Sequence, residues 1–254
     1  MEACELGFYL FMVGIWATIL EYPGSALHRA IPDPEVRRAL RACLGGVTAI
    51  AVVYSPFGSR SGAHLNPAFT LTFLRLGRVA PWDAVFYLVA QFLGACVGVG
   101  LVSLAIGQPF IAPPVDAMAT RPGALGVGIA LVAESIMAFL LMLVTLVCLS
   151  HRRVAPSTGL LVSALGAVFI IVAAPLSGVG LNPARCFASA LRLKLFDALW
   201  IYFVAPPIGM LLAAEVYVRS TRRRPICVKL YHQRDCPCPF LHCGYCDKLS
   251  QGVP

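Results

Sequence analysis

Long apolar segments separated by short polar loops dominate the chain. Residues 4–22 are apolar apart from Glu5 and Glu21 and are long enough to cross a bilayer. A cleaved leader is disfavoured there, because the first residues are acidic and no small-residue cleavage site follows. A polar loop over 23–38 precedes a second apolar run at about 39–54. Further apolar runs occupy about 82–106, 124–149, 159–174 and 197–218, with a proline-bearing loop over 107–123 and a short basic loop at His151-Arg152-Arg153. The pattern predicts six spans, with Gln91 and Glu134 as polar interruptions.

Between spans 2 and 3, and again between spans 5 and 6, a short stretch repeats. The first copy is Ser61-Gly62-Ala63-His64-Leu65-Asn66-Pro67-Ala68; the second is Ser177-Gly178-Val179-Gly180-Leu181-Asn182-Pro183-Ala184, followed by Arg185. Both read S-G-x-x-L-N-P-A. Asn is a good helix N-cap and Pro suits the first helical position, so each Asn-Pro-Ala opens a helix. The apolar run after each lasts about ten residues, roughly 15 Å at ~1.5 Å per residue, which is half of a ~30 Å hydrocarbon core. Leu76-Gly77-Arg78 closes the first of these half-helices with a glycine stop and a cation near the negative end of the helix dipole.

Three spans per repeat require the second copy to enter the membrane upside down. The two half-helices then enter from opposite faces and meet near the midplane. Irregular backbone at that depth is tolerated only inside protein or along a watery cavity. The expected fold is therefore an all-α membrane protein of six transmembrane helices and two re-entrant half-helices in an inverted 3+3 repeat, with a pore between the Asn-Pro-Ala ends. The channel unit covers 1–220, with repeats over about 4–106 and 124–218, and a basic, cysteine-rich tail covers 221–254.

Composition agrees with this pattern. The 254 residues are 59% hydrophobic and 13% charged, with a mean hydropathy of +0.80, against about 25% charged residues in soluble domains. The net charge of +8 is concentrated partly in Arg219, Arg222, Arg223, Arg224 and Lys229. Beside a span this is a positive flank that orients the protein rather than a nucleic-acid surface. His151–Arg153 and Arg222–Arg224 are two spans apart and share a side, which predicts both termini in the cytoplasm. Arg29, Arg37, Arg38 and Arg41 fall on the other side and argue against that orientation.

Glu134 precedes Asn182 by 48 positions and Glu5 precedes Asn66 by 61, and the extra residues fit in the 23–38 loop. A carboxylate inside a membrane needs hydrogen bonds. Glu5 and Glu134 are thus candidate structural acids accepting from backbone N–H groups of the two motif loops, with a proton relay as the alternative.

The two Asn-Pro-Ala motifs (Asn66, Pro67, Ala68 and Asn182, Pro183, Ala184), Arg185, His64 and the paired Glu residues resemble the aquaporin, or major intrinsic protein, family over about residues 4–218. The resemblance implies a homotetramer with one pore per subunit and passive flow of water or small neutral solutes, such as glycerol, urea, ammonia or hydrogen peroxide, in a cell membrane. In that scheme Asn66 and Asn182 donate to a water at the pore centre. The helix N-termini, each roughly half a positive charge, together with Arg185, oppose cations and protons. By family position the filter consists of Gly46, Ile170, Val179 and Arg185. Strict water channels of the family have a bulky aromatic and a His at the first two positions, so this filter is expected to be wider. Glycerol facilitators place Asp after the filter Arg, where this chain has Cys186. Ile170 resembles plant vacuolar and ammonia- or peroxide-permeable types.

Of ten cysteines, Cys4, Cys43, Cys96 and Cys148 lie in apolar runs and read as packing residues. The tail has no counterpart in the usual family. Its Cys236-x-Cys238-x4-Cys243-x2-Cys246 run, with Cys227, His232 and His242 nearby, is a candidate zinc site or an iron–sulfur site; otherwise it is a reduced or palmitoylated tail. Apart from that zinc, no cofactor is expected. No catalytic arrangement occurs in the spans, so an enzyme is not expected. The competing classes are a secondary transporter and a membrane-anchored metal or redox sensor acting through the tail.

Overall fold

A computed structural model of the protein describes residues 1–233 and 238–246. Among the described residues the structure is helical: α1 (Glu2–Glu21), α2 (Ala26–Ala30), α3 (Pro34–Val53), α4 (Pro56–Ser61), α5 (Pro67–Arg75), α6 (Pro81–Ile106), α7 (Gln108–Ile111), α8 (Gly126–Leu149), α9 (Thr158–Ser177), α10 (Pro183–Leu193) and α11 (Leu199–Thr221). The spans are α1, α3, α6, α8, α9 and α11, and the half-helices are α5 and α10. Five of the six spans are apolar enough by composition alone to cross a membrane. The exception is α3, whose first two turns carry Glu35, Arg37, Arg38 and Arg41.

The polar stretch 23–38 is not one loop. It holds α2 and the first turn of α3, five residues earlier than the apolar run begins. Asp33 starts α3 as an N-cap, its Oδ1 accepting from the Glu35 and Val36 N–H groups at 2.8 and 3.4 Å, with Pro34 at the first helical position. Arg37 then turns back to Glu21 at 3.3 Å and to the Ile31 and Pro32 carbonyls, both at 2.8 Å. The early helix start is thus held by a charged cluster that hydropathy does not register.

The repeats pair their outer helices by the same device. In the first repeat α1 crosses α6 so closely that a Cβ on Gly94 would lie 2.2 Å from the Ala3 carbonyl oxygen. In the second, α8 crosses α11, and a Cβ on Gly209 would lie 2.3 Å from the Ser135 oxygen. Close approach through small residues is how apolar helices associate in lipid, where burying hydrocarbon gains little. The outward faces remain apolar, with Phe86, Leu93, Val97 and Leu104 of α6 and Val168 and Val172 of α9 exposed, as a lipid-facing surface requires.

The tail is not a detached appendage. Cys227, Val228, Leu230, Phe240 and Cys243 are buried in the same apolar core as Phe69, Phe73 and Leu146. Backbone bonds run from Ile226 N–H to Leu149 O at 2.9 Å, Leu230 N–H to Gly62 O at 3.0 Å and Leu241 N–H to Arg78 O at 2.9 Å. The tail therefore covers the end of the bundle where α5 and α8 finish.

Candidate functional site

The two repeated motifs fold into two copies of one shape. Each is preceded by a helix ending in a left-handed glycine, Gly62 (φ 97°) after α4 and Gly178 (φ 74°) after α9. Ala63 and Leu65 in the first copy, and Val179 and Leu181 in the second, all have φ of 52° to 54°. Four non-glycine residues at matching positions in that sparsely populated region indicate strain held by the surroundings. In each copy the Asn then caps its half-helix. Asn66 Oδ1 accepts from Ala68 N–H at 2.9 Å, and Asn182 Oδ1 accepts from Ala184 and Arg185 N–H at 3.1 and 3.3 Å.

The amide NH2 groups cross between the copies. Asn66 Nδ2 donates to Leu181 O at 2.8 Å, and Asn182 Nδ2 donates to Leu65 O at 2.7 Å. Each NH2 has two protons, so one ties the motifs together and one remains for a ligand. Both asparagines line a cavity of about 410 Å³, together with His64, Leu65, Gly180 and Leu181.

Buried acids hold the two loops. In the second repeat Glu134 accepts from Ser177 Oγ, Gly180 N–H and Leu181 N–H, each at 2.7 Å, as the sequence suggested. In the first repeat the expectation for Glu5 needs correction. The backbone N–H groups of His64 and Leu65 donate to Glu2, at 2.9 and 2.8 Å, and Gln91 Nε2 joins them at 2.7 Å. Glu5 receives only the Ser61 hydroxyl, at 2.9 Å, and its other oxygen has no partner. The work done by Glu134 alone is thus divided between Glu2 and Glu5, one helical turn apart on α1. Sequence spacing pointed to the glutamate inside the apolar run and passed over the one at its edge.

All four residues assigned to the filter, Gly46, Ile170, Val179 and Arg185, line the cavity. Arg185 is anchored by its own motif: Nη1 donates to Val179 O at 2.8 Å, Gly180 O at 3.4 Å and Thr120 Oγ1 at 3.5 Å. Tyr9, Arg41 and Arg121 also line the cavity and were not anticipated as lining residues. Asp116, also on the wall, pairs with Arg121 at 3.6 Å, so Arg41 and Arg185 leave this end of the cavity with a net positive charge. Cys186 is buried beside Thr120 rather than in the cavity.

The major intrinsic protein family profile matches residues 4–217. The chain belongs to the major intrinsic protein family. Among curated members, the probable aquaporin NIP7-1 of Arabidopsis thaliana is 34% identical over 202 residues, covering 78% of this chain and 67% of that protein. Aquaporin NIP2-1 of Oryza sativa subsp. japonica is 38% identical over 175 residues, covering 68% and 56%. Aquaporin-4 of Bos taurus is 33% identical over 189 residues, covering 73% and 57%. The chain thus spans roughly three fifths of the length of several of these relatives. A solved aquaglyceroporin from Plasmodium falciparum superposes with a TM-score of 0.67 at 20% identity, covering 85% of this chain and 92% of that one, which shows that the two share a fold.

At the far end of the cavity the tail takes over. His64 is 2% exposed because Phe240 stacks on its ring at 5.0 Å and the Val228 carbonyl meets its Nε2 at 3.2 Å. Lys229 Nζ donates to Ser59 O at 2.8 Å. Leu230 reaches the cavity itself. Of the four tail cysteines expected as ligands, Cys236 lies outside the described residues, and Cys246 is not part of the group that converges. That group is Cys227, His232, Cys238 and Cys243, whose donor atoms all lie within 4.8 Å of one another. Hydrogen bonds from Cys227 and Cys238 hold the Cys243 thiol well below its ordinary pKa.

Proposed function

We propose that the protein is a passive transmembrane pore for water and small uncharged solutes that excludes ions and protons. The observation that carries this reading is the crossed pair of asparagines. Two half-helix N-termini and two spare amide protons converge on one cavity, where a water oxygen would accept from both. A water held that way presents its protons outward in both directions, which breaks the hydrogen-bonded file that proton hopping needs. The arginines at one end, with Arg185 fixed by three acceptors, add a barrier to cations. Family membership supports a channel rather than an enzyme.

The solute range includes molecules of glycerol size. Gly46 brings no side chain to the wall beside Arg185, and Ile170 and Val179 are apolar, which leaves room there, while Tyr9, Arg41 and Arg121 add polar groups at the same end. The subunits assemble as homotetramers in the cell membrane with both termini cytoplasmic. This is supported by the basic segments 151–153 and 222–224 on the tail-bearing end and by the exposed apolar helix faces. The test is stopped-flow light scattering of proteoliposomes under a sucrose gradient and then a glycerol gradient. Shrinkage no faster than that of bare lipid, in a chain freed of its tail contacts, would refute the reading. Fast shrinkage without glycerol entry would refute the wide filter.

A further inference from the structure

We infer that Cys227, His232, Cys238 and Cys243 form a four-ligand site for a zinc-class divalent ion, and that the bound ion clamps the tail over the end of the pore. A tetrahedral zinc ion with Zn–S of about 2.3 Å and Zn–N of about 2.0–2.1 Å sets its ligand atoms roughly 3.5–3.8 Å apart. Here Cys227 Sγ and Cys238 Sγ are 3.5 Å apart, Cys243 Sγ and a His232 ring nitrogen are 3.5 Å apart, and no separation in the group exceeds 4.8 Å. Three thiols and an imidazole are soft ligands, which select zinc and disfavour calcium or magnesium. A disulfide would use two of the thiols and leave Cys243 with only the imidazole.

What the ligands bracket gives the site its meaning. Four residues separate Cys227 from His232, and all four touch the channel: Val228 O meets His64, Lys229 donates to Ser59 O, Leu230 N–H donates to Gly62 O, and Tyr231 packs on Tyr54 at 4.7 Å. Four residues separate Cys238 from Cys243. Of these, Phe240 stacks on His64, Leu241 N–H donates to Arg78 O, and Arg78 donates to His242 O. Both docking loops are therefore closed by pairs of ligands. The described residues of this segment contain no helix or strand, so its shape depends on cross-links, and a metal supplies them. The first loop carries Leu230, the tail residue that enters the cavity. Metal-loaded, the loop keeps an apolar side chain in the water path; stripped of metal, it is released.

The gating half of this inference rests on the channel reading, so the experiment measures metal and flux separately. The intact purified protein is assayed for bound metal by elemental analysis and reconstituted with Co²⁺. One ion per chain is expected, with thiolate-to-cobalt charge-transfer absorption. Both signals are expected to be lost in Cys227→Ser and Cys243→Ser and kept in Cys43→Ser. Absence of metal, or its retention in both ligand variants, overturns the site. So does a fall of two free thiols without metal, which would indicate a Cys227–Cys238 disulfide. In proteoliposomes, a zinc chelator is expected to raise water flux several-fold in the natural chain and to add little in Leu230→Gly, already fast when metal-loaded. Metal binding with chelator-insensitive flux overturns the clamp. Intact metal binding with no flux under any condition overturns the channel reading instead.

Discussion

Replacing Glu2 should damage the protein more than replacing Glu5, although Glu5 is the residue that lies in the apolar run. Glu2→Ala leaves the His64 and Leu65 N–H groups, which donate to it at 2.9 and 2.8 Å, without acceptors. Gln91 is less affected, because its Nε2 also donates to Thr70 Oγ1 at 3.1 Å. A buried donor left unsatisfied costs about 1–3 kcal/mol, so two cost about 2–6 kcal/mol. Glu5→Ala removes one bond, from a Ser61 hydroxyl that still accepts from Ala63 N–H at 3.0 Å. It also removes a buried carboxylate oxygen with no partner, so its net cost is about 0–1 kcal/mol. The difference is then at least about 1–2 kcal/mol, or about 2–8 °C in thermal midpoint at ~2–4 °C per kcal/mol for a chain of this size. The assay is the fraction of detergent-solubilised protein that stays monodisperse after heating, followed by size-exclusion chromatography. Glu2→Gln, which keeps one carbonyl acceptor, should fall between the natural chain and Glu2→Ala. A Glu5→Ala midpoint as low as that of Glu2→Ala would refute this division of labour.

Three further outcomes follow from the same geometry. Gly46→Phe places a ring where a Cβ would already lie 3.3 Å from Ala167 Cβ, so the ring must swing into the cavity; glycerol flux should fall by a larger factor than water flux in the paired light-scattering assay. Arg185→Ala removes the guanidinium held by Val179 O, Gly180 O and Thr120, and vesicles with an internal pH dye should then lose a proton gradient faster. Gly62→Ala strains a residue at φ 97° and brings a Cβ to 2.7 Å from Phe240; the tail should loosen, read as faster protease cleavage between residues 225 and 246.

Much of the architecture was legible because its signals are local and repeated. Asn66-Pro67 and Asn182-Pro183 announce helix starts within otherwise continuous hydrophobic sequence, and the odd number of spans per repeat dictates their opposition. The early start of α3 was hidden because Arg37 is paired with Glu21 and bonded to the Ile31 and Pro32 carbonyls, contacts that a hydropathy window scores only as polar loop. The Glu2 role was hidden because matching by position finds a carboxylate of the right type, whereas the side chain that reaches the His64 and Leu65 N–H groups depends on where α1 crosses α6. In the tail the cysteines are dense from Cys236 onward, while the converging donors include Cys227 and His232, nine and four residues before that run, drawn in by docking against His64 and Gly62. Leu230 carries no sequence signal at all: it is one leucine among many until the fold sets it in the cavity.

The crossed asparagines are proposed to form a pore for neutral molecules. The measurement that tests it most directly is water flux through proteoliposomes of the metal-stripped chain under a sucrose gradient, with internal pH followed in the same vesicles. Shrinkage well above that of bare lipid is expected, with the proton gradient intact. Asn182→Asp, which removes the donor to Leu65 O and places a negative charge between the two half-helix N-termini, is expected to abolish the flux or let cations through. Flux equal to bare lipid in both the metal-stripped chain and Leu230→Gly, or flux unchanged by Asn182→Asp, would contradict it.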